Sequence, residues 1–244
     1  MAARHNSNCV QNEDGFDYHG IKKALCSKIH PTRFTLKRII VIQMEMSEQQ
    51  KQAQRQRQIK FEEMKQTNGN ELQQLEEWTE LKCSDVVFDS NVDNWAYDTS
   101  VLNEKIIGKK QLVFLIEDTD KEKFGYYLNT EVIEIYERIG TDNKSFHFNL
   151  ESNGRLPHPM KFEIKNLRCG YYLFEKSKKE SNLISVGNIH LLKENDKNKS
   201  CCVQGDNGHF DYHGIEKALC GKIFYLRVSY EKFTPKRILV IQMN

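Results

Sequence analysis

The chain carries two copies of its own ending. Cys9 to Gln11 (CVQ) recurs as Cys202 to Gln204, Phe16 to Ile29 (FDYHGIKKALCSKI) as Phe210 to Ile223 (FDYHGIEKALCGKI), and Phe34 to Met44 (FTLKRIIVIQM) as Phe233 to Met243 (FTPKRILVIQM). The three blocks match at 3 of 3, 12 of 14 and 9 of 11 positions, which chance does not supply. A solenoid buries its faces by stacking several neighbouring copies, whereas these two copies have unrelated sequence between them. The second copy closes a long strand-rich stretch. The first has nothing before it to pack against, so it reads as an orphaned domain end with one helix and two strands at most, too little for a sandwich core. Met46-Ser47-Glu48-Gln49 directly after it reads like a fresh start of translation, as expected after a tandem duplication that kept only the upstream domain's tail, or after a gene fusion or misprediction.

The expected organisation is therefore an orphan repeat over 1–45, a polar helical segment over 46–80 and a folded domain over 81–244. Ser47 to Thr67 is dominated by Gln, Lys, Arg and Glu without Pro or Gly, and Ser47 with Gln50 has capping-box spacing, which predicts a helix. Its apolar residues (Ala53, Ile59, Phe61, Met64) do not hold the heptad of a sustained coiled coil, so the expectation is a solvated helix. After Asn68-Gly69-Asn70, the spacing of Leu72, Leu75 and Trp78 predicts a short amphipathic helix docking on the domain. From Val86 onward come short apolar or alternating segments: 86–88, 112–116, 124–128, 146–150, 160–164, 171–174, 183–186, 189–192, 201–204 and 237–243. Many short strands between polar turns predict a mainly β fold (α+β), an antiparallel β-sandwich with flanking helices. Two helices interrupt it. One, capped by Asp98 or Thr99, carries Val101, Leu102, Ile106 and Ile107 and ends at Gly108; the other carries Ile215, Ala218 and Leu219 and ends at Gly221.

Lys plus Arg number 36 and Asp plus Glu 34, so a formal charge of +2 gives no global reason to bind nucleic acid or an anionic membrane. The longest apolar runs, Leu112 to Ile116 and Ile238 to Ile241, fall far short of the ~20 residues that span a bilayer. No secretory-type apolar stretch opens the sequence, and a cytoplasmic location is expected. Seven cysteines, an odd number, are then expected as free thiols rather than a disulfide framework.

The ordered set Val87-Phe88-Asp89-Ser90 then Trp95, a helix before LVFLI, D-T-D-x-x-x-F-G-x-Y (Asp118 to Tyr127), Gly140 before SFHFNL, Val186-Gly187-Asn188, Ser200 to Cys202 and a closing F-x-P-x-x-I-x-V strand resembles a TLDc domain, the oxidation-resistance (TBC/LysM-associated) family. The resemblance covers roughly Leu81 to Asn244. It implies a β-sandwich with flanking helices, a role in oxidative-stress resistance, and binding to subunits of the vacuolar proton-pumping ATPase at the surface of acidic organelles; no member is an established enzyme. The family-motif positions that carry over are Asp118, Asp120, Phe124, Gly125, Tyr127, Gly140 and Gly187. For the glycines, φ > 0 or close backbone approach is a sufficient structural reason.

Chemical alternatives can be weighed residue by residue. Cys201, Cys202, His209, His213 and Cys220 cluster in sequence, but paired C-x2-C spacing is missing and adjacent strand cysteines point to opposite faces, so no metal and no cofactor are expected. Glu117, Asp118 and Asp120 suit a charged hairpin turn better than a cation site. No nucleophile elbow, HExxH helix or phosphate-cradling loop marks a hydrolase, and the one local candidate for peroxide chemistry is Cys169 beside Arg168. Lys222 to Arg237, with Phe224, Tyr225, Tyr230 and Phe233, has the basic–aromatic mixture of a nucleic-acid strand but also that of an ordinary strand–loop–strand with snorkelling lysines. The leading expectation is a non-catalytic protein-interaction module, with a redox or hydrolytic enzyme and a nucleic-acid binder as the alternatives; the duplicated tail adds a possible route to self-association.

Overall fold

The computed structural model describes residues 6–9, 32–35, 47–67, 69–96, 99–134, 137–175, 181–203, 209–220, 223–226 and 228–244. The chain divides into two units, Met1–Met46 and Ser47–Asn244. In the first, β1 (Asn6–Cys9) pairs antiparallel with β2 (Thr32–Thr35), placing Cys9 opposite Thr32 and Asn8 opposite Arg33. The helix of the orphan copy lies outside the described residues.

The second unit opens with α1 (Glu48–Thr67) and α2 (Gly69–Thr79). They are followed by β3 (Cys83–Asp89), α3 (Ser100–Ile106), β4 (Leu112–Asp118), β5 (Lys123–Leu128), β6 (Arg138–Ile139), β7 (Phe146–Glu151), β8 (Met160–Glu163), β9 (Tyr171–Leu173), β10 (Asn182–Val186) and β11 (Ile189–Leu192). A 3-10 turn (Glu194–Lys199) leads to β12 (Cys201–Val203), β13 (Ile223–Leu226), β14 (Val228–Lys232) and β15 (Pro235–Met243). Two antiparallel sheets result, ordered β3-β15-β4-β5-β7-β8 and β13-β14-β12-β11-β10-β9-β6. All ten expected strand segments are present; the two-residue β6 and the β13–β14 hairpin are additional. That hairpin occupies the basic–aromatic region as the ordinary strand–loop–strand.

Period-two alternation builds two cores from the six-stranded sheet. Leu112, Phe114 and Ile116 of β4 and Phe124, Tyr126 and Leu128 of β5 face the second sheet, where Leu183, Ile184, Val186, Ile189 and Leu191 meet them. Val113, Leu115, Tyr127, Phe146, Phe148 and Ile241 face outward into a second core closed by Phe61, Leu72 and Leu75 of the two helices. Trp78 meets Phe146 edge-on at 6.2 Å.

The first helix is thus not simply solvated. Phe61 is only 1% exposed and Arg57, one turn before it, is also buried. Arg57 Nη1 donates to Asp93 at 2.8 Å, and the same carboxylate meets Lys105 at 3.3 Å and accepts from the Asp89 amide at 3.0 Å. A buried charge of this kind persists only when paired. Thr99 stands at the N-cap of α3, and its hydroxyl donates to the carbonyls of Phe174 and Glu175 rather than capping its own helix; Asp98 lies outside the described residues. Gly108 follows with φ +76°, as a helix end requires.

The second expected helix does not form. Residues 213–219 run as successive turns, with His213, Gly214 and Lys217 at φ of +54°, +73° and +57°. Three left-handed residues cannot belong to one α-helix. The carbonyls of this segment are held from outside: Asn149 Nδ2 donates to Leu219 O at 2.8 Å, and the Arg155 guanidinium donates to the carbonyls of Lys217 and Leu219. Gly221 lies outside the described residues.

Candidate functional site

Strand β7 explains where polar chemistry enters the fold. Its Phe146 and Phe148 point outward beneath α2, so His147 and Asn149 alternate inward, toward the space between the sheets. The repeated segment 209–220 is threaded through that space and supplies their partners. Phe210 stacks on the His147 ring at 3.8 Å, Tyr212 Oη lies 2.9 Å from His147 Nδ1, and the Asn188 amide donates to His147 Nε2 at 3.5 Å. An acceptor role at Nε2 places the proton on Nδ1, donating to Tyr212. His147 is 0% exposed, and burial pushes its pKa down to about 3. It is a neutral, structurally committed imidazole.

Two thiol clusters flank it. Cys169 Sγ lies 2.9 Å from His209 Nδ1; burial raises the Cys169 pKa, opposed by the charge of Arg138. The charge that acts on Cys169 is therefore not that of Arg168, its exposed sequence neighbour. The second cluster joins Cys202 of β12, Cys220 at the end of the threaded segment and Glu231 of β14. The two sulfurs are 3.1 Å apart and Glu231 Oε2 lies 3.5 Å from Cys202 Sγ and 3.7 Å from Cys220 Sγ. Burial raises the pKa of both thiols and pushes that of Glu231 up to about 7. Of the five Cys and His residues weighed as ligands, only Cys202 and Cys220 converge. Cys201 faces away, half-buried, and His213 is exposed beside Asp211 at 3.5 Å. Glu231, absent from the sequence-based set, joins through strand register, directly opposite Cys202.

The family-motif residues occupy defined structural positions. The Asp118 carboxylate accepts from the amides of Asp120 and Glu122, both at 2.9 Å, and closes the β4–β5 hairpin, where Lys121 has φ +67°. The charged-turn account of Glu117, Asp118 and Asp120 describes this geometry, with Glu117 also paired to Lys236 at 2.6 Å. Phe124 is in the inter-sheet core, edge-on to Phe233 at 4.9 Å. A Cβ at Gly125 would run into the Phe114 carbonyl, and one at Gly140 would come within 2.6 Å of the Leu167 carbonyl. Gly187 turns the β10–β11 hairpin at φ +57°, with the His147 ring filling the place of its missing side chain.

Tyr127, of this set, reaches a concave surface. Its hydroxyl donates to Asn129 Oδ1 at 2.9 Å, and its ring helps line a groove of about 350 Å³ walled by Trp78, Leu81, Phe146, Lys161 and Glu163. Lys161 Nζ sits 4.9 Å above the Phe146 ring. Aromatic walls with a polar, mixed-charge rim suit peptide or protein contact. No protein-family model matches the chain, and no curated protein matches it.

Proposed function

We propose that the unit Ser47–Asn244 is a non-catalytic protein-interaction module of the TLDc type, acting in oxidative-stress protection or in binding the vacuolar proton-pumping ATPase on the surface of acidic organelles. The observation that carries this reading is the fate of the reactive groups. His147, Cys169, Cys202 and Cys220 are buried with their charged forms disfavoured, whereas a nucleophile needs an accessible, activated state. The groove beside Trp78, Tyr127 and Lys161 offers aromatic and charged contact area instead, and the TLDc resemblance supplies the partner. Among the described residues no helix is long and apolar enough to cross a membrane, so recruitment to an organelle would pass through a partner.

Immobilised full-length protein is expected to capture the purified proton-pumping ATPase, with capture reduced by Lys161→Glu and unaffected by Cys169→Ser. Failure to bind the pump, together with peroxide turnover abolished by Cys169→Ser, would establish the enzyme reading instead.

A further inference from the structure

We propose that Cys202, Cys220 and Glu231 form a buried site for one thiophilic divalent cation, zinc being the ion that the donor set suits best. The inference is independent of the interaction-module reading, and its premise is a convergence of donors: one ligand atom from each of the three buried side chains lies within 4.8 Å of the other two. Glu231 is 2% exposed, and no cation among the described residues forms an ion pair with it. The guanidinium whose field reaches it, Arg155, is already committed to Glu122 at 3.0 Å and to the carbonyls of Lys217 and Leu219. Three ionisable ligand groups thus converge in the interior, and among the described residues no cation is paired with them. In their ionised forms such buried groups are paired or coordinate metals, and a divalent ion would deprotonate both thiols outright.

The geometry agrees with a coordination triangle. Metal bonds of about 2.3 Å to sulfur and about 2.0 Å to oxygen at tetrahedral angles place sulfur and oxygen ligands about 3.5 Å apart and two sulfurs about 3.8 Å apart. The observed S···O separations are 3.5 and 3.7 Å, and the S···S separation is 3.1 Å. Two edges already fit, and the third opens by about 0.7 Å once two thiolates replace two thiols. Water takes the fourth position, as is usual when a protein supplies three ligands. Two thiols and one carboxylate also discriminate against magnesium and calcium, which take oxygen ligands.

A disulfide is the competing use of the same two sulfurs, and the carboxylate argues against it. Oxidation would remove both S–H donors from Glu231, leaving a buried carboxylate with only the 3.4 Å amide contact of Cys220. A cation satisfies all three groups at once. The repeat sharpens the point: Cys9 and Cys26 match Cys202 and Cys220, but the register that sets Cys202 opposite Glu231 sets Cys9 opposite Thr32. The first copy therefore lacks the carboxylate, and one metal per chain is expected rather than two.

The test uses the full-length chain purified under reducing conditions and dialysed against metal-free buffer without chelator. Elemental analysis is expected to find one zinc per chain in the wild type and in Cys201→Ser and Cys169→Ser, and affinity is expected to fall at least about tenfold in Cys202→Ser, Cys220→Ser and the near-isosteric Glu231→Gln, since even outer-shell partners are worth that much. Cobalt substitution of the wild type, which needs no variant to fold, is expected to give tetrahedral d–d absorption and a thiolate-to-cobalt charge-transfer band that chelator removes. A folded wild type that retains no zinc, a cobalt spectrum without thiolate charge transfer, or an intact mass lighter by two hydrogens with Cys202 and Cys220 in one disulfide would each overturn the proposal.

Discussion

Burial of an uncharged histidine ties stability to pH. His147 titrates near 6.5 in the unfolded chain and at about 3 in the folded one, so between those values the unfolded state holds the extra proton and acid favours unfolding by about 1.4 kcal/mol per pH unit. The stability that this neutral burial contributes is complete above about pH 6.5, the unfolded value, and is lost progressively as pH falls toward about 3, the folded value. The melting temperature of the wild type is expected to drop across that window, and His147→Gln, less stable at neutral pH, is expected to show a shallower slope in the same denaturation series. Gly125 supplies a second residue-scale prediction. Its absent Cβ makes room for the Phe114 carbonyl and the Phe148 ring, so Gly125→Val is expected to cost more than about 3 kcal/mol by chemical denaturation, at the upper end of overpacking effects. Any loss of partner binding in that variant is therefore to be read only beside its folding. The glycine motifs were legible in the sequence because close approach leaves a residue-type signature. Glu231 was not, because a glutamate in a strand looks the same whether it meets water or two thiols, and only register sets it opposite Cys202.

Strand segments were recognisable because each carries its period locally, as Met160 and Phe162 do in β8 or Phe114 and Ile116 in β4. The segment around Ile215, Ala218 and Leu219 has helical spacing and still forms turns, with His213, Gly214 and Lys217 left-handed and the carbonyls of Lys217 and Leu219 held by Arg155 and Asn149, distant in sequence. Propensity is a weak prior against such tertiary contacts. Helix α1 departs from expectation in the opposite direction: its composition is that of a solvated rod, yet Phe61 and Arg57 dock it. Removing Arg57 would leave Asp93 with Lys105 and one amide, so Arg57→Ala is expected to cost about 2–3 kcal/mol, below the loss for a fully orphaned buried ion. A fall of about 5–10 °C in melting temperature is the corresponding observable. A change within 1 °C would show that α1 does not depend on this pair.

At the scale of the whole molecule, the division between Met46 and Ser47 implies that a chain beginning at Met46 retains both cores of the second unit. It is expected to melt within a few degrees of full length; a larger drop would show that the first 45 residues contribute contacts to those cores. The central place of β15, hydrogen-bonded on one side to β3 and on the other to β4, has a kinetic consequence. Native pairing joins Val86 to Ile241 across 155 positions, whereas Ile42, the counterpart of Ile241 in the first copy, lies 44 positions from Val86. Loop-closure entropy favours the shorter connection by about 1 kcal/mol, and during synthesis the nearer copy is available long before the true one exists. The duplicate is thus expected to compete, with a head start, for the slot that β15 fills. Refolding of the full chain is expected to show a slow phase, the time needed to expel the wrong strand, that disappears in the chain beginning at Met46 and lengthens when the first copy's resemblance to β15 is made perfect by Ile40→Leu and Leu36→Pro.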